Sequence, residues 1–106
     1  MSFDERAILQ GIAELVATPS VSSTDPGLDM TNAAVIERLG DMLSQAGFSI
    51  ERLPVDEQPG KYNLIARKGS GRGGLVLSGH TDTVPCDESL WDSDPFRMTE
   101  RDGRLY

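Results

Sequence analysis

A chain of 106 residues is one domain's worth of material or less, and 38% hydrophobic with 25% charged residues matches ordinary water-soluble globular protein. Ten Lys and Arg against seventeen Asp and Glu give a formal charge of -7 with the basic residues scattered, so nucleic acid, which needs clustered positive charge, is not an expected partner. No apolar run approaches the length that crosses a bilayer, so no membrane partner is expected; the acidic start Ser2-Phe3-Asp4-Glu5 lacks the features of an export signal, and a lone cysteine, Cys86, suits a cytoplasmic location.

Ser2 and Glu5 have the spacing of a capping box, which predicts a helix over residues 3–17 with Ile8, Leu9, Ile12, Leu15 and Val16 on one face. Thr18-Pro19 ends it, because the residue before proline is pushed out of helical geometry. Residues 20–27 are rich in Ser, Asp, Pro and Gly and read as a loop. A second helix follows, with the apolar stripe Ala34, Val35, Leu39, Met42, Leu43 and Ala46, and Gly47 stands where a left-handed terminator is expected.

From Phe48 through Ile50 to Leu53 the apolar period falls to about two, as in a half-buried strand. Pro59-Gly60 marks a turn, residues 62–67 read as a second strand, and Leu75-Val76-Leu77 as a short strand buried on both faces. The intervening Gly69-Ser70-Gly71-Arg72-Gly73-Gly74 matches G-x-G-x-x-G in form. It is followed by apolar strand-like residues, whereas pyrophosphate binding requires the glycines to open a helix, so a hairpin loop is expected. Two short strands, 97–100 and 104–106, close the chain around the turn Asp102-Gly103. No repeat or linker divides the sequence. The element order predicts an α/β fold, two helices packed on a mixed sheet.

The segment Ser78-Gly79-His80-Thr81-Asp82-Thr83-Val84-Pro85 carries the chemistry. It sets the single histidine just past the carboxyl end of the most apolar predicted strand, where α/β folds present ligands. Residues two apart in extended backbone share a face, so the His80 ring and the Asp82 carboxylate can meet each other or a common ion. A metal-bound imidazole commonly gives its second N–H to such a carboxylate. A lone histidine near a strand end is nonetheless more often a hydrogen-bonded structural residue than a ligand, so H-x-D by itself leaves both roles open. A catalytic metal also needs at least three protein ligands, and the chain has no second histidine. Asp87, Glu88, Asp92 and Asp94 are candidate oxygen donors, although an acidic run is usually solvated surface. Cys86 lacks an evident basic neighbour or helix start that would activate its thiol, and Trp91 and Phe96 suit packing better than a substrate box.

Residues 78–85 resemble the first metal motif of the M20 metallopeptidase family. Ala17-Thr18-Pro19-Ser20-Val21-Ser22, Asp29-Met30-Thr31-Asn32-Ala33, Lys61-Tyr62-Asn63-Leu64, Trp91-Asp92-Ser93-Asp94-Pro95-Phe96 and Asp102-Gly103-Arg104-Leu105-Tyr106 resemble the opening third of that family's acetylornithine deacetylase branch. The resemblance implies that residues 1–106 form the N-terminal segment of a zinc-peptidase-like catalytic domain, without the smaller lid and dimerisation domain. It implies hydrolysis of the acetamide of N2-acetyl-L-ornithine, a small N-acyl amino acid, to ornithine and acetate in arginine biosynthesis, by a homodimer in the complete enzyme. Two divalent ions, zinc or cobalt, would polarise the amide oxygen and lower the pKa of a water, with a glutamate as general base. His80 corresponds to a metal ligand and Asp82 to the catalytic aspartate that contacts it. The other ligands and the base correspond to positions beyond Tyr106, so the chain alone is expected to bind metal weakly and to show no turnover. Other M20 hydrolases, namely a succinyl-diaminopimelate desuccinylase, an acetylcitrulline deacetylase or a dipeptidase, share the motif. A non-catalytic α/β interaction module, with His80 structural, is the alternative of another class.

Overall fold

A computed structural model describes residues 2–106. In chain order the elements are α1 (Glu5–Val16), α2 (Ala33–Gln45), β1 (Ser49–Pro54), β2 (Tyr62–Arg67), a 3-10 turn at Glu88–Leu90, β3 (Glu100–Arg101) and β4 (Arg104–Leu105). The α/β class is as the sequence predicts, with helices packed on small sheets.

α1 starts two residues later than the capping box implies. Asp4, in extended geometry, is the N-cap, and its carboxylate accepts the Ala7 N–H at 3.1 Å, so the acid two residues after Ser2 caps the helix instead. The helix buries none of its residues fully, and Ile8, Ile12 and Val16 of the predicted stripe stay exposed. It meets α2 through Gly11, where a Cβ would lie 2.8 Å from Met42 Cε, and through an ion pair between Glu14 and Arg38.

α2 is the central layer. One side meets α1 and the other covers the β1–β2 hairpin, and Val35 and Ile36, together with Val21, are the buried hydrophobic residues. Ile36 was not in the predicted stripe, whereas Ala34 and Ala46, which were, lie exposed. Gly40 lets the helix approach β1: a Cβ there would be 3.2 Å from the Arg52 guanidinium and 3.6 Å from Ile50. Gly47, at φ 89°, terminates α2 as predicted, and Lys68 donates to the Ala46 carbonyl at 2.6 Å while lying over the Phe48 ring.

β1 and β2 pair antiparallel from Ser49–Arg67 to Pro54–Tyr62, joined by the turn that contains Pro59-Gly60. β3 and β4 form a second hairpin through Asp102 (φ 52°) and Gly103 (φ 72°), the left-handed pair a two-residue turn requires. Backbone bonds between Thr99 and Tyr106 extend this ladder by one rung.

Two expectations are corrected. The named sheets are both antiparallel, so the mixed sheet is not formed; the parallel pairing among the described residues is the single bridge between Val21 and Thr83. Leu75-Val76-Leu77 is also not a buried strand. The three residues are 82%, 89% and 85% exposed and join neither sheet. Gly69, Gly71, Gly73 and Gly74 all have positive φ, which glycine adopts without strain, and the loop they form does not bring the apolar residues back against β2. The result is thin and spread: the extents are 50 × 42 × 20 Å and the radius of gyration is 16.0 Å, against about 13 Å for a compact domain of this length.

Candidate functional site

The H-x-D segment is held by the loop after α1. Ser22 N–H donates to the Thr83 carbonyl at 2.8 Å, Thr83 N–H donates to the Ser20 carbonyl at 3.2 Å, and the Ser20 hydroxyl donates to the Thr81 carbonyl. Ser20 and Val21 are each only 5% exposed, so their side of this seam is among the best covered parts of the molecule. Ser20-Val21-Ser22, expected as the start of a loop, pairs with the candidate site through a single parallel bridge.

On the segment so held, His80 Nδ1 lies 3.1 Å from Asp82 Oδ1 and 3.0 Å from the Asp82 carbonyl oxygen. Both neighbours accept, so the ring nitrogen facing them is the one that carries hydrogen. In the neutral ring that leaves the Nε2 lone pair pointing elsewhere, as in histidine ligands whose other nitrogen is tied to a carboxylate. The two side chains are 81% and 59% exposed. His80 is therefore not enclosed by apolar atoms, and its ring and the acid of Asp82 face each other as the spacing predicts.

The pair fits one ligand position and its carboxylate partner. Among the described residues no group of three or more His, Cys, Asp or Glu side chains is arranged to hold an ion, so a full coordination shell is not assembled. Two of the other candidate oxygen donors, Asp87 and Asp94, have local work. Asp87 caps the 3-10 turn, accepting from the Ser89 backbone N–H at 3.0 Å and hydroxyl at 2.6 Å, and the hydroxyl bond chiefly holds its carboxyl below the usual range. Asp94 accepts from the Phe96 N–H at 2.9 Å. Cys86 is exposed, as is Trp91. The glycine-rich loop runs into residues of no regular secondary structure and not into a helix.

A second seam was not foreseen, although both of its halves are segments the sequence singled out. Asn32 precedes α2 but makes no cap bond; its amide instead donates to the Tyr62 carbonyl at 2.9 Å and accepts the Tyr62 N–H at 2.8 Å. Thr31 Oγ1 takes over the capping role by accepting from Ala33 N–H at 2.9 Å. Three residues earlier, Asp29 accepts from Lys61 at 2.9 Å and from the Ser23 backbone N–H at 2.9 Å; the Lys61 bond first, then that of Ser23, keep its carboxyl below the ordinary value. Opposite charges at 29 and 61 were the available signal, but a separation of 32 residues gave no register by which to pair them.

Taken together, these features define an α/β segment that presents a carboxylate-oriented histidine on a backbone tied to its first loop. The chain is 56% identical over 93 residues to the acetylornithine deacetylases of Photorhabdus laumondii and Proteus mirabilis, in each case across 88% of this chain and 24% of the relative. It is 48% identical over 100 residues to that of Pasteurella multocida, across 94% of this chain and 26% of the relative. The chain thus spans about a quarter of the length of the curated relatives it matches, somewhat less than the third the motifs implied. No family model matches it.

Proposed function

We propose that this chain is the N-terminal segment of the catalytic domain of an M20-type acetylornithine deacetylase, which hydrolyses N2-acetyl-L-ornithine to ornithine and acetate, and that it contributes one metal ligand and the aspartate beside it. The likeness to named deacetylases over nearly the whole chain carries this reading. His80 offers Nε2 to the ion. Asp82 accepts from Nδ1, fixing the tautomer and making the ring a better donor. Two divalent ions, zinc or cobalt, would supply Lewis-acid polarisation of the amide carbonyl and a lowered pKa for water. The remaining donors, the general base and the homodimer contacts belong to polypeptide outside residues 1–106, and the complete protein works in the cytoplasm.

The test is a comparison of two polypeptides, this chain and one extended to the relatives' length. The extended form should release acetate from N2-acetyl-L-ornithine only with a divalent ion present, and faster than it cleaves N-succinyl-diaminopimelate, N-acetylcitrulline or dipeptides. His80→Ala should abolish that turnover, and Asp82→Asn should weaken zinc binding about 10- to 100-fold, the usual effect of losing a ligand's hydrogen-bond partner. The 106-residue chain should show no turnover. Metal-dependent hydrolysis by the short chain, or a wild-type rate in the His80→Ala protein, would overturn the proposal.

A further inference from the structure

We infer that Ser20 is a positioning residue for the His80–Asp82 pair, acting through the peptide that links Thr81 to Asp82. The inference rests on the proposed role of His80 and extends it to a residue in a different part of the chain. Residues 80 and 82 belong to no named strand, and both side chains stand largely in solvent. A contact of 3.1 Å between two such groups has to compete with water unless the backbone between them is fixed.

What fixes it is one edge of the segment. The Thr83 N–H and carbonyl bond to Ser20 and Ser22, and these two bonds hold the chain after Asp82. Before Asp82 the tie on this seam is a side chain, the Ser20 hydroxyl donating to the Thr81 carbonyl across 61 residues of sequence. That carbonyl lies in the peptide plane between His80 and Asp82, so holding it sets how the two side chains project. Ser20 suits the task, being 5% exposed and following a proline whose ring limits the backbone before it. Without the hydroxyl the Thr81–Asp82 peptide is free to rotate, and the imidazole and carboxylate lose their mutual register while the Thr83 bonds are loosened but not lost.

The experiment uses the isotopically labelled chain and nuclear magnetic resonance, with no metal added. In the unsubstituted protein the Ser20 hydroxyl proton should be slow enough in exchange to be seen, and the ring nitrogens of His80 should report hydrogen on Nδ1. Ser20→Ala should move the ring signals toward the free-histidine tautomer mixture and speed exchange of the Thr83 amide about threefold to tenfold. Ser20→Thr, which keeps the hydroxyl, should retain the native ring signature. Val21→Ala trims the buried packing of the same seam and should lower Tm without altering the ring. An unprotected Ser20 hydroxyl, a native ring signature in Ser20→Ala, or the same ring change in Val21→Ala would overturn the assignment; the first is read in the native protein, whether or not a variant folds. The metal-dependent acetate-release assay on the extended form reads the metal proposal separately, since the ring and exchange data do not depend on it.

Discussion

Asp29 shows how a single carboxylate can join two loops that the sequence leaves far apart. Its bonds to Lys61 and to the Ser23 amide favour the ionised form, so its pKa is lowered from the ordinary 3.8 in the folded chain. A lowered acid pKa contributes stability that is present above the ordinary value and is lost as pH falls through the lowered one. Asp29→Asn should therefore reduce the urea midpoint near neutral pH, and the gap to the native protein should close as the pH drops below 3.8. A gap that stays constant into acid would show that the charge is not what the site uses. The same scale sets the candidate site, where the carboxylate and the backbone carbonyl of Asp82 determine which ring nitrogen of His80 carries hydrogen.

The elements were largely legible because their signals are local. Gly47 ends α2, Pro59-Gly60 turns β1 into β2, and Asp102-Gly103 closes the last hairpin, each for a backbone reason that operates within a few residues. What joins the elements was not legible. Asn32 has the character of a helix cap, but its amide matches the backbone of Tyr62 in both directions, and Thr31 caps in its place. Asn32→Ala should leave α2 capped and detach the start of β2, costing about 1–3 kcal/mol because one N–H and one carbonyl lose their partners. Equilibrium urea unfolding measures this, and a loss below a few tenths of a kcal/mol would mean that water replaces the amide freely. Thr31→Ala should act on the helix terminus instead, with the Tyr62 amide still protected from exchange.

At the scale of the molecule the dominant feature is uncovered surface. The accessible area is 8655 Å², against roughly 5,800 Å² for a compact protein of this mass, and Leu75, Val76, Leu77, Val84 and Leu90 stand at the surface. An exposed apolar segment outside any sheet invites pairing with other chains. Val76→Lys should therefore reduce light scattering and dye binding by the purified chain while leaving the urea midpoint unchanged, because the side chain it replaces is 89% exposed and packs against nothing. A lowered midpoint would show that Val76 is buried in solution. The exposure also accounts for the failed prediction at this segment: an unbroken apolar run signals burial, but burial needs neighbours on both faces, and α1, α2 and the hairpins do not provide them.

By itself, the sequence determined the α/β class, the two helices, three of the turns and the adjacency of His80 and Asp82, because each depends on spacing within a few residues and on periods intrinsic to the backbone. Tertiary structure alone decided that Ser20 and Ser22 are the partners of Thr81 and Thr83, that Asp29 and Asn32 meet Lys61 and Tyr62, and that Leu75-Val76-Leu77 is left uncovered. These depend on which surfaces approach one another across 30 to 61 residues of chain, and hydrogen-bonding groups that look alike in sequence are told apart only when tertiary packing brings one of them within reach.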